Sequence, residues 1–492
     1  MATLPASRSP SYLSKSKFMS GRQCEKRLWQ EIHHPERADA YGPRTEFLFF
    51  QGHEVGALAQ QWRGKGVLIE LDRSDIARAV RETREALAAG AKRIFEATFE
   101  YKGFLALADV IEQKRDGSWR LIEVKATTSA KPIHVPDLAF QAWLMEQNGL
   151  SVSETAVVHL NNKAIWPADE LLTMSGNTAE VLAAMPEVRK LAKRLAKLIV
   201  SDVEPDIGPG PHCSDPYDCN FHSHCWQDVP ADRIGILPRL SAEKAEQLSS
   251  RGWTRVAQIE DVSLLSVAQR RWASALQSGK PYIDEAAIRN WLSGLIGPIY
   301  SLDFETVGYA IPRWKGARPY QQIPFQFSCH RIGVRGGLSH QEYLHLSQDD
   351  PRSALVDALI AAVGDSGSIM AWNAGFEKRV ITELADLFPR KRAVLLAIAA
   401  RLVDLMDVFQ RWYLHPDCRG SASIKKVGKA VLGKDAGYED LDIGDGNEAY
   451  AGWHQRVFED APVEIEQALR AYCTQDTMLP VKLLGFLQQE FA

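Results

Sequence analysis

The sequence predicts a mixed α/β protein with two α/β domains and a helical connector between them. Strand-like runs such as Trp119–Lys125 alternate with stretches whose apolar residues recur at helical spacing, such as Thr178–Val200. The 492 residues are also enough for two or three domains with ordinary cores. We place the domain boundaries at residues 12–230, 231–290 and 291–492.

Composition favours a globular protein of the cytoplasm. Hydrophobic residues make up 45% of the chain and charged residues 24%. The net charge of -4 argues against a uniformly basic nucleic-acid-binding surface but allows a basic groove. The first residues, MATLPASRSPSYLSKSKF, lack the apolar core of a signal peptide, and no apolar run reaches membrane-spanning length. In a reducing compartment, clustered cysteines more often bind metal than form disulfides.

The first predicted domain mixes helices and strands. Helical patterns cover Leu28–Ala59, Asp75–Ala91, Asp137–Gln147 and Thr178–Val200, and strand-like runs cover Glu100–Gln113 and Trp119–Lys125.

The two strand-like runs form a hairpin that gathers charged residues on one face. A three-residue loop from Arg115 to Gly117 places glycine at the left-handed position that such loops favour. Continuing the pairing from this loop puts Asp109 opposite Glu123, and Lys125 lies on the same face because side chains alternate along a strand. Two carboxylates hold a hard cation such as Mg²⁺ or Mn²⁺, and a lysine stabilises developing charge. The pattern therefore predicts metal-dependent hydrolysis of phosphodiesters.

The motifs in this region resemble those of the RecB-type PD-(D/E)XK nucleases, which have a restriction-endonuclease-like fold. The matching residues lie in FQGHEVGALA, LALADVIEQ, RLIEVKATTS and DLAFQAWLM: His53, Asp109, Glu123, Lys125 and Gln141. The resemblance implies that His53, Asp109 and Glu123 bind the catalytic metal. It further implies that Lys125 is catalytic and that Gln141 helps to position the site. The residues alone leave His53 open as an ordinary histidine on a helix surface.

Four cysteines have a one-plus-three arrangement around this region. Cys24 precedes it, and Cys213, Cys219 and Cys225 follow it in PHCSDPYDCNFHSHCW. The layout is similar to that of RecB-like nucleases with an iron–sulfur cluster, namely the AddB-type domain and the CRISPR-associated adaptation nuclease. Four thiolates suit a 4Fe–4S cluster and equally suit structural zinc. In either case we expect a structural clasp that joins the two ends of the domain.

Residues 231–290 are predicted to form the connector. The stretch ILPRLSAEKAEQLSSRGWTRVAQIEDV resembles a degenerate helix-hairpin-helix, and a plain helical linker fits it as well. The third segment begins with the strand GPIYSLDFETVG and continues with two more strand-like runs that flank Gly336-Gly337, where we expect a hairpin turn.

A second set of acidic residues lies in this last segment. Asp303 and Glu305 share one face of a predicted strand, and Tyr472 and Asp476 share one side of a predicted helix. With Glu377 in NAGFE, the set resembles a DnaQ-type DEDD 3′–5′ exonuclease with a ribonuclease-H-like fold. More closely, it resembles an uncharacterised bacterial domain often fused behind a RecB-type nuclease. The resemblance implies that the four acids bind Mg²⁺ or Mn²⁺ and that Tyr472 orients the attacking water.

The family pattern usually has aspartate at the position of Glu377. Asp404 and Asp407 in LVDLMDVF are alternative ligands for the same metal site.

The sequence therefore predicts a nuclease with two acidic sites that acts on DNA, most favourably on single strands or ends. Roles in DNA repair or defence follow by family analogy. Three alternatives stay open: an RNA-processing exonuclease, a nuclease whose C-terminal domain only binds nucleic acid, and a zinc-stabilised scaffold. Nucleic acid is the expected partner, a membrane is not, and the sequence names no protein partner.

Overall fold

A computed structural model describes residues 12–70, 72, 75–167, 170–438 and 441–492. The chain divides into two compact units: residues 1–228 with 309–320, and residues 229–308 with 321–492. The stretch in which no signal peptide is predicted begins with residues 1–11, which lie outside the described residues. Within the described ranges, no helix combines the length and the apolar character that crossing a membrane requires.

The first unit contains seven strands and seven helices among its described residues. The strands are β1 (Leu13–Ser14), β2 (Val67–Leu68), β3 (Arg93–Tyr101), β4 (Phe104–Gln113), β5 (Trp119–Val124), β6 (Val152–Leu160) and β7 (Leu172–Gly176). The helices are α1 (Lys15–Gln23), α2 (Glu25–His33), α3 (Pro43–Arg63), α4 (Ile76–Ala88), α5 (His134–Gln147), α6 (Thr178–Leu198) and α7 (His222–Trp226).

The predicted hairpin between β4 and β5 is confirmed, including its register. Gln113 pairs with Trp119 and Val110 with Ile122, so the next pair in this register is Asp109 with Glu123. Gly117 has φ of +85°, the left-handed conformation that its place in the loop requires. The strands run in the order β2-β3-β4-β5-β6-β7, and β1 adds to β4. The β5–β6 pair is parallel and brings α5 across the sheet between them.

The prediction of one strand over Glu100–Gln113 is wrong. The chain turns at Lys102 and Gly103, which have φ of +49° and +84°, and so separates β3 from β4. A turn with positive φ at both central residues joins antiparallel strands tightly. The hidden strand β3 matters because it carries Glu96 next to Asp109.

Helices cover both faces of this sheet. Ile111, Leu121 and Val157 pack with α5 and α6 on one face, and Val110 and Ile122 pack with α3 on the other. The segment 309–320 completes the second cluster, to which it contributes Ala310, Ile311 and Tyr320. Both faces of the sheet are therefore buried.

The second unit contains ten helices and seven strands among its described residues. The helices are α8 (Ala242–Ser249), α9 (Val267–Ser278), α10 (Glu285–Ser293), α11 (Arg352–Val363), α12 (Ala374–Leu387), α13 (Arg392–Ala400), α14 (Met406–Arg411), α15 (Ile424–Leu432), α16 (Gly446–Phe458) and α17 (Val463–Phe491). The strands are β8 (Tyr282–Ile283), β9 (Ile299–Val307), β10 (Ile323–Ile332), β11 (Leu338–Leu344), β12 (Ile369–Ala371), β13 (Leu402–Asp404) and β14 (Tyr413–Leu414).

The main sheet of the second unit has the order β11-β10-β9-β12-β13. Strands β9, β10 and β11 are antiparallel, and β12 and β13 run parallel to β9. This is the strand arrangement expected of a ribonuclease-H-like sheet. The predicted hairpin at Gly336-Gly337 is confirmed, and both glycines have φ above +80°. The segment 231–290 lies within this unit, where its strand β8 pairs with β14.

Candidate functional site

The first acidic site lies on β4 and β5 and comprises Asp109, Glu123, Lys125 and Gln141 with their neighbours. The Oδ2 atom of Asp109 accepts a hydrogen bond from the backbone N–H of Val124 at 2.6 Å. This bond holds the Asp109 carboxylate against β5, beside Glu123. Glu123 is 1% exposed, so its charge must be balanced by groups within the protein.

Two lysines balance the negative charge of Glu123, and a glutamine donates a hydrogen bond to it. Lys125 Nζ lies 2.6 Å from Glu123 Oε1, and Lys15 Nζ lies 2.8 Å from the same oxygen. Gln141 Nε2 donates to Glu123 Oε2 at 2.6 Å and to Asp137 Oδ1 at 2.9 Å. Asp137 also accepts from Lys125 at 2.9 Å. The structure thus brings together Asp109, Glu123, Lys125 and Gln141, and it adds Lys15 and Asp137.

The two carboxylates of this site have opposite pKa shifts. Burial and the charge of Glu123 raise the pKa of Asp109 to about 7. Burial alone would also raise the pKa of Glu123, but the ammonium groups of Lys125 and Lys15 outweigh it and lower that pKa well below its usual range. Glu123 is therefore a fixed anion, and Asp109 sits where a cation would complete its charge balance.

His53 on α3 lines a cavity of about 360 Å³ together with Glu96 and Asp109. His53 is exposed, so it is open to the cavity and not packed in the core. Glu96 lies next to Asp109 across β3 and β4 and has φ of +55°, which interrupts the regular pairing at that point. Burial raises the pKa of Glu96. Glu96 is absent from the predicted site, because the predicted single strand over Glu100–Gln113 leaves most of β3 out.

The four cysteines of the predicted clasp line one small pocket, here called the cysteine pocket. Cys24 lies between α1 and α2 with an extended backbone, and Cys225 lies in α7. The backbone N–H of Cys219 donates to the carbonyl of Cys213 at 2.8 Å. The structure therefore places the thiol of Cys24 in the same pocket as three thiols from much later in the chain. The nearest of these in sequence, Cys213, follows Cys24 by 189 residues.

Hydrogen bonds independent of any metal hold the same two chain segments together. Gln23 Nε2 donates to the carbonyls of His212 and Tyr217 at 2.7 and 2.6 Å. The backbone N–H of Asp39 donates to the carbonyl of Asn220 at 2.6 Å. Burial raises the pKa of the Cys219 and Cys225 thiols, so a cation is needed to hold them as thiolates at neutral pH.

The second acidic site lies on β9, α12 and α17 and comprises Asp303, Glu305, Glu377, Tyr472 and Asp476. Asp303 is directly paired with Ser328 and Glu305 with Gln326, so both acids project from one face of β9. Burial, then the charge of Asp476, raises the pKa of both Asp303 and Glu305 well above the usual range. Buried carboxylates this close repel one another when ionised, and a bound cation would relieve that repulsion.

Glu377 lies at this site, and Asp404 lies near it but is already held by backbone hydrogen bonds. Asp404 accepts backbone N–H groups of Asn373 and Ala374 at 3.1 Å and thereby fixes the start of α12. Asp407 forms an ion pair with Arg411 at 3.1 Å. Glu377 is 2% exposed, and its Oε2 atom has no hydrogen-bond partner within the part of the chain that the structure describes.

Two tyrosines and a lysine lie around Asp476. Tyr472 and Tyr438 both donate hydrogen bonds to its carboxylate. Lys425 Nζ lies 5.0 Å from the ring centroids of each tyrosine. Neither Tyr438 nor Lys425 is among the site residues predicted from the sequence.

The pKa of Glu377 leads to a prediction about stability. Burial, with the charge of Asp404, raises this pKa from 4.5 to about 8. The folded state therefore holds a proton that the unfolded chain has released, and stability falls as pH rises from about 4.5 to 8. We expect Glu377→Gln to be more stable than the wild type at pH 8 by about 2–4 kcal/mol and equally stable at pH 4.5. Denaturant unfolding in EDTA at both pH values measures this.

The exposed Glu464→Gln is the matched control and should follow the wild type at both pH values. Equal pH dependence in the wild type and Glu377→Gln would contradict the assignment of the proton to Glu377.

Comparisons with known proteins reach part of this chain. The family described as "Domain of unknown function (DUF2779)" matches residues 300–423, a range that includes Asp303, Glu305 and Glu377 but not Tyr472 or Asp476. No curated protein matches the chain. Among solved structures, the chain is similar to one titled "Crystal structure of SSO0001", with 13% identity and a TM-score of 0.19. That alignment covers 39% of this chain and 79% of the other.

Proposed function

We propose that this protein is a metal-dependent nuclease that hydrolyses DNA at two separate acidic sites. The observation that carries the proposal is the pair Asp109 and Glu123 on adjacent strands, with Lys125 at 2.6 Å from Glu123. A structural ion pair needs no second buried carboxylate beside it. The resemblance to the RecB-type PD-(D/E)XK nucleases supports the same assignment.

Asp109, Glu123 and His53 would hold the cation of the first site, with Glu96 as a further candidate ligand. Bound Mg²⁺ or Mn²⁺ would supply a polarised phosphate and a water of lowered pKa. The protein's own groups do the rest. Lys125 places a positive charge beside the scissile phosphate, and Gln141 fixes the rotamers of Glu123 and Asp137 through its two hydrogen bonds.

At the second site, Asp303, Glu305, Glu377 and Asp476 would hold the cation. Tyr472 donates to Asp476, which orients its hydroxyl toward the acids. This resembles the DEDD arrangement, in which a tyrosine positions the attacking water.

The cysteine pocket supports a 4Fe–4S cluster better than zinc. Tetrahedral zinc with Zn–S bonds of about 2.3 Å requires its four sulfurs to lie roughly 3.8 Å apart. Among the described residues, the only group of three or more such ligand atoms within 4.8 Å of one another is Asp303, Glu305 and Cys473, so the four thiols are spread more widely. In a 4Fe–4S cluster each thiolate binds a different iron, so the four cysteine sulfurs lie farther apart than around a single zinc ion.

Cleavage assays on matched DNA and RNA oligonucleotides test the proposal. We expect the wild type to cleave DNA with Mg²⁺ or Mn²⁺. Glu123→Gln and Asp303→Asn should each remove one product pattern and leave the other, so that total cleavage falls only in part. Exposed acids in the same units, Glu187→Gln and Glu464→Gln, should leave cleavage unchanged.

Each alternative function has its own result. Preference for RNA would make the protein an RNA-processing enzyme. If Asp303→Asn leaves every product unchanged while Glu123→Gln abolishes all of them, the second unit only binds nucleic acid. No cleavage of either polymer with Mn²⁺ would refute the nuclease and favour a scaffold.

A further inference from the structure

Cys473 lies inside the second acidic site. It follows Tyr472 on α17 and precedes Asp476 by three residues, a spacing that places Cys473 and Asp476 on the same side of the helix. Its residue is 0% exposed. Its Sγ atom and one carboxylate oxygen each of Asp303 and Glu305 all lie within 4.8 Å of one another.

These surroundings differ from those of an ordinary buried thiol. Cys329 and Cys418 are also buried in this unit, and both belong to clusters of apolar side chains. Cys473 instead faces two carboxylates. A neutral thiol gains little from such neighbours, whereas a cation placed among the three atoms would be bound by all of them.

A second observation points to a cation at the same place. Glu377 is 2% exposed, and among the described residues its Oε2 atom has no hydrogen-bond partner. The negative charge of Glu377, when ionised, raises the pKa of both Asp303 and Glu305, so its carboxyl group lies near theirs. A buried carboxylate oxygen without a partner is costly unless a ligand completes its coordination.

We propose that Cys473 is a metal ligand of the second acidic site, and that its thiolate gives this site a preference for thiophilic divalent cations of the zinc class over Mg²⁺. The proposal deepens the proposed function and rests on it for the view that the acids form a metal site. Coordination breaks the S–H bond, forms a metal–sulfur bond and releases the proton to solvent. Mg²⁺ favours oxygen ligands, so a sulfur ligand contributes little to its affinity.

Cadmium, a thiophilic probe, tests this on the full-length protein. We expect Cys473→Ser to lower the affinity of this site for Cd²⁺ by at least ~10-fold in calorimetric titration, while the affinity for Mg²⁺ changes by less than about two-fold. Cys418→Ser, which removes a buried thiol outside the site, should bind Cd²⁺ as the wild type does. Cadmium that enters the cysteine pocket is a constant background in all three proteins.

A spectroscopic measurement on the wild type avoids any dependence on the folding of variants. The ¹¹³Cd NMR spectrum should contain a resonance shifted by a single thiolate, distinct from that of a thiolate-rich site. A wild-type spectrum without any resonance of the single-thiolate type would overturn the proposal, because cadmium at the first acidic site has no sulfur ligand. Unchanged Cd²⁺ affinity in a folded Cys473→Ser protein would overturn it as well.

Cleavage assays run in parallel separate this proposal from the nuclease assignment. A single-thiolate cadmium resonance together with no cleavage of any substrate refutes the nuclease and leaves Cys473 a ligand. Cleavage together with no such resonance does the reverse.

Discussion

Replacing Lys125 with methionine is expected to reduce cleavage at the first acidic site by ~10²–10³-fold. The substitution keeps most of the apolar part of the side chain and removes the ammonium group that lies 2.6 Å from Glu123 and 2.9 Å from Asp137. In the proposed reaction that charge would stabilise the negative charge that develops on the phosphate. Initial rates with Mn²⁺, measured in an Asp303→Asn background, report on this site alone.

Lys131→Met is the matched control, because Lys131 is exposed and forms no ion pair within 4.0 Å among the described residues. It should retain the full rate. A Lys125→Met protein that cleaves within about two-fold of its parent would show that Lys125 only balances Glu123 and takes no part in catalysis.

Replacing Cys24 with serine is expected to release the proposed 4Fe–4S cluster and to lower the unfolding midpoint of the first unit by ~10 °C. Cys24 is the single thiol that joins the start of this unit to the three cysteines at its end. Its loss leaves the hydrogen bonds from Gln23 to the carbonyls of His212 and Tyr217, so the pocket loosens without the unit losing its fold. Iron, sulfide and zinc analysis after anaerobic purification, with thermal unfolding, measures both effects.

Cys418→Ser serves as the control, since Cys418 is a buried thiol of the second unit. It should keep the full metal content. A wild-type protein that is colourless and holds one zinc would refute the iron–sulfur assignment, and full iron content in Cys24→Ser would refute the role of Cys24.

Local signals in the sequence predicted much of the first acidic site. The loop that ends at Gly117 fixes the register of its hairpin, and the register places Asp109 opposite Glu123 without reference to the rest of the fold. Asp137 lies four residues before Gln141 on α5, so helical spacing contains the signal that would have found it.

Other parts of both sites depend on tertiary structure. Lys15 is 108 residues from Glu123 along the chain, and no pattern links the two. Glu96 lies in β3, which is a separate strand only because the chain turns at Lys102 and Gly103. A positive φ at Glu96 itself then sets its position beside Asp109. Tyr438 reaches Asp476 from a loop, where periodicity gives no guidance.

The segment 309–320 limits how this gene can be divided. It is encoded between β9 and β10 of the second unit, yet Ala310 donates its backbone N–H to the buried side chain of Gln51, and Arg313 Nη2 lies 2.6 Å from Glu54. A polypeptide ending at Asp228 would therefore lack part of its own interior and expose Val55 and Ala59 to water. Because the coding sequence of the first unit is interrupted by part of the second, recombination with two breakpoints cannot transfer either unit intact. A deletion or exchange of one unit would therefore also alter the other.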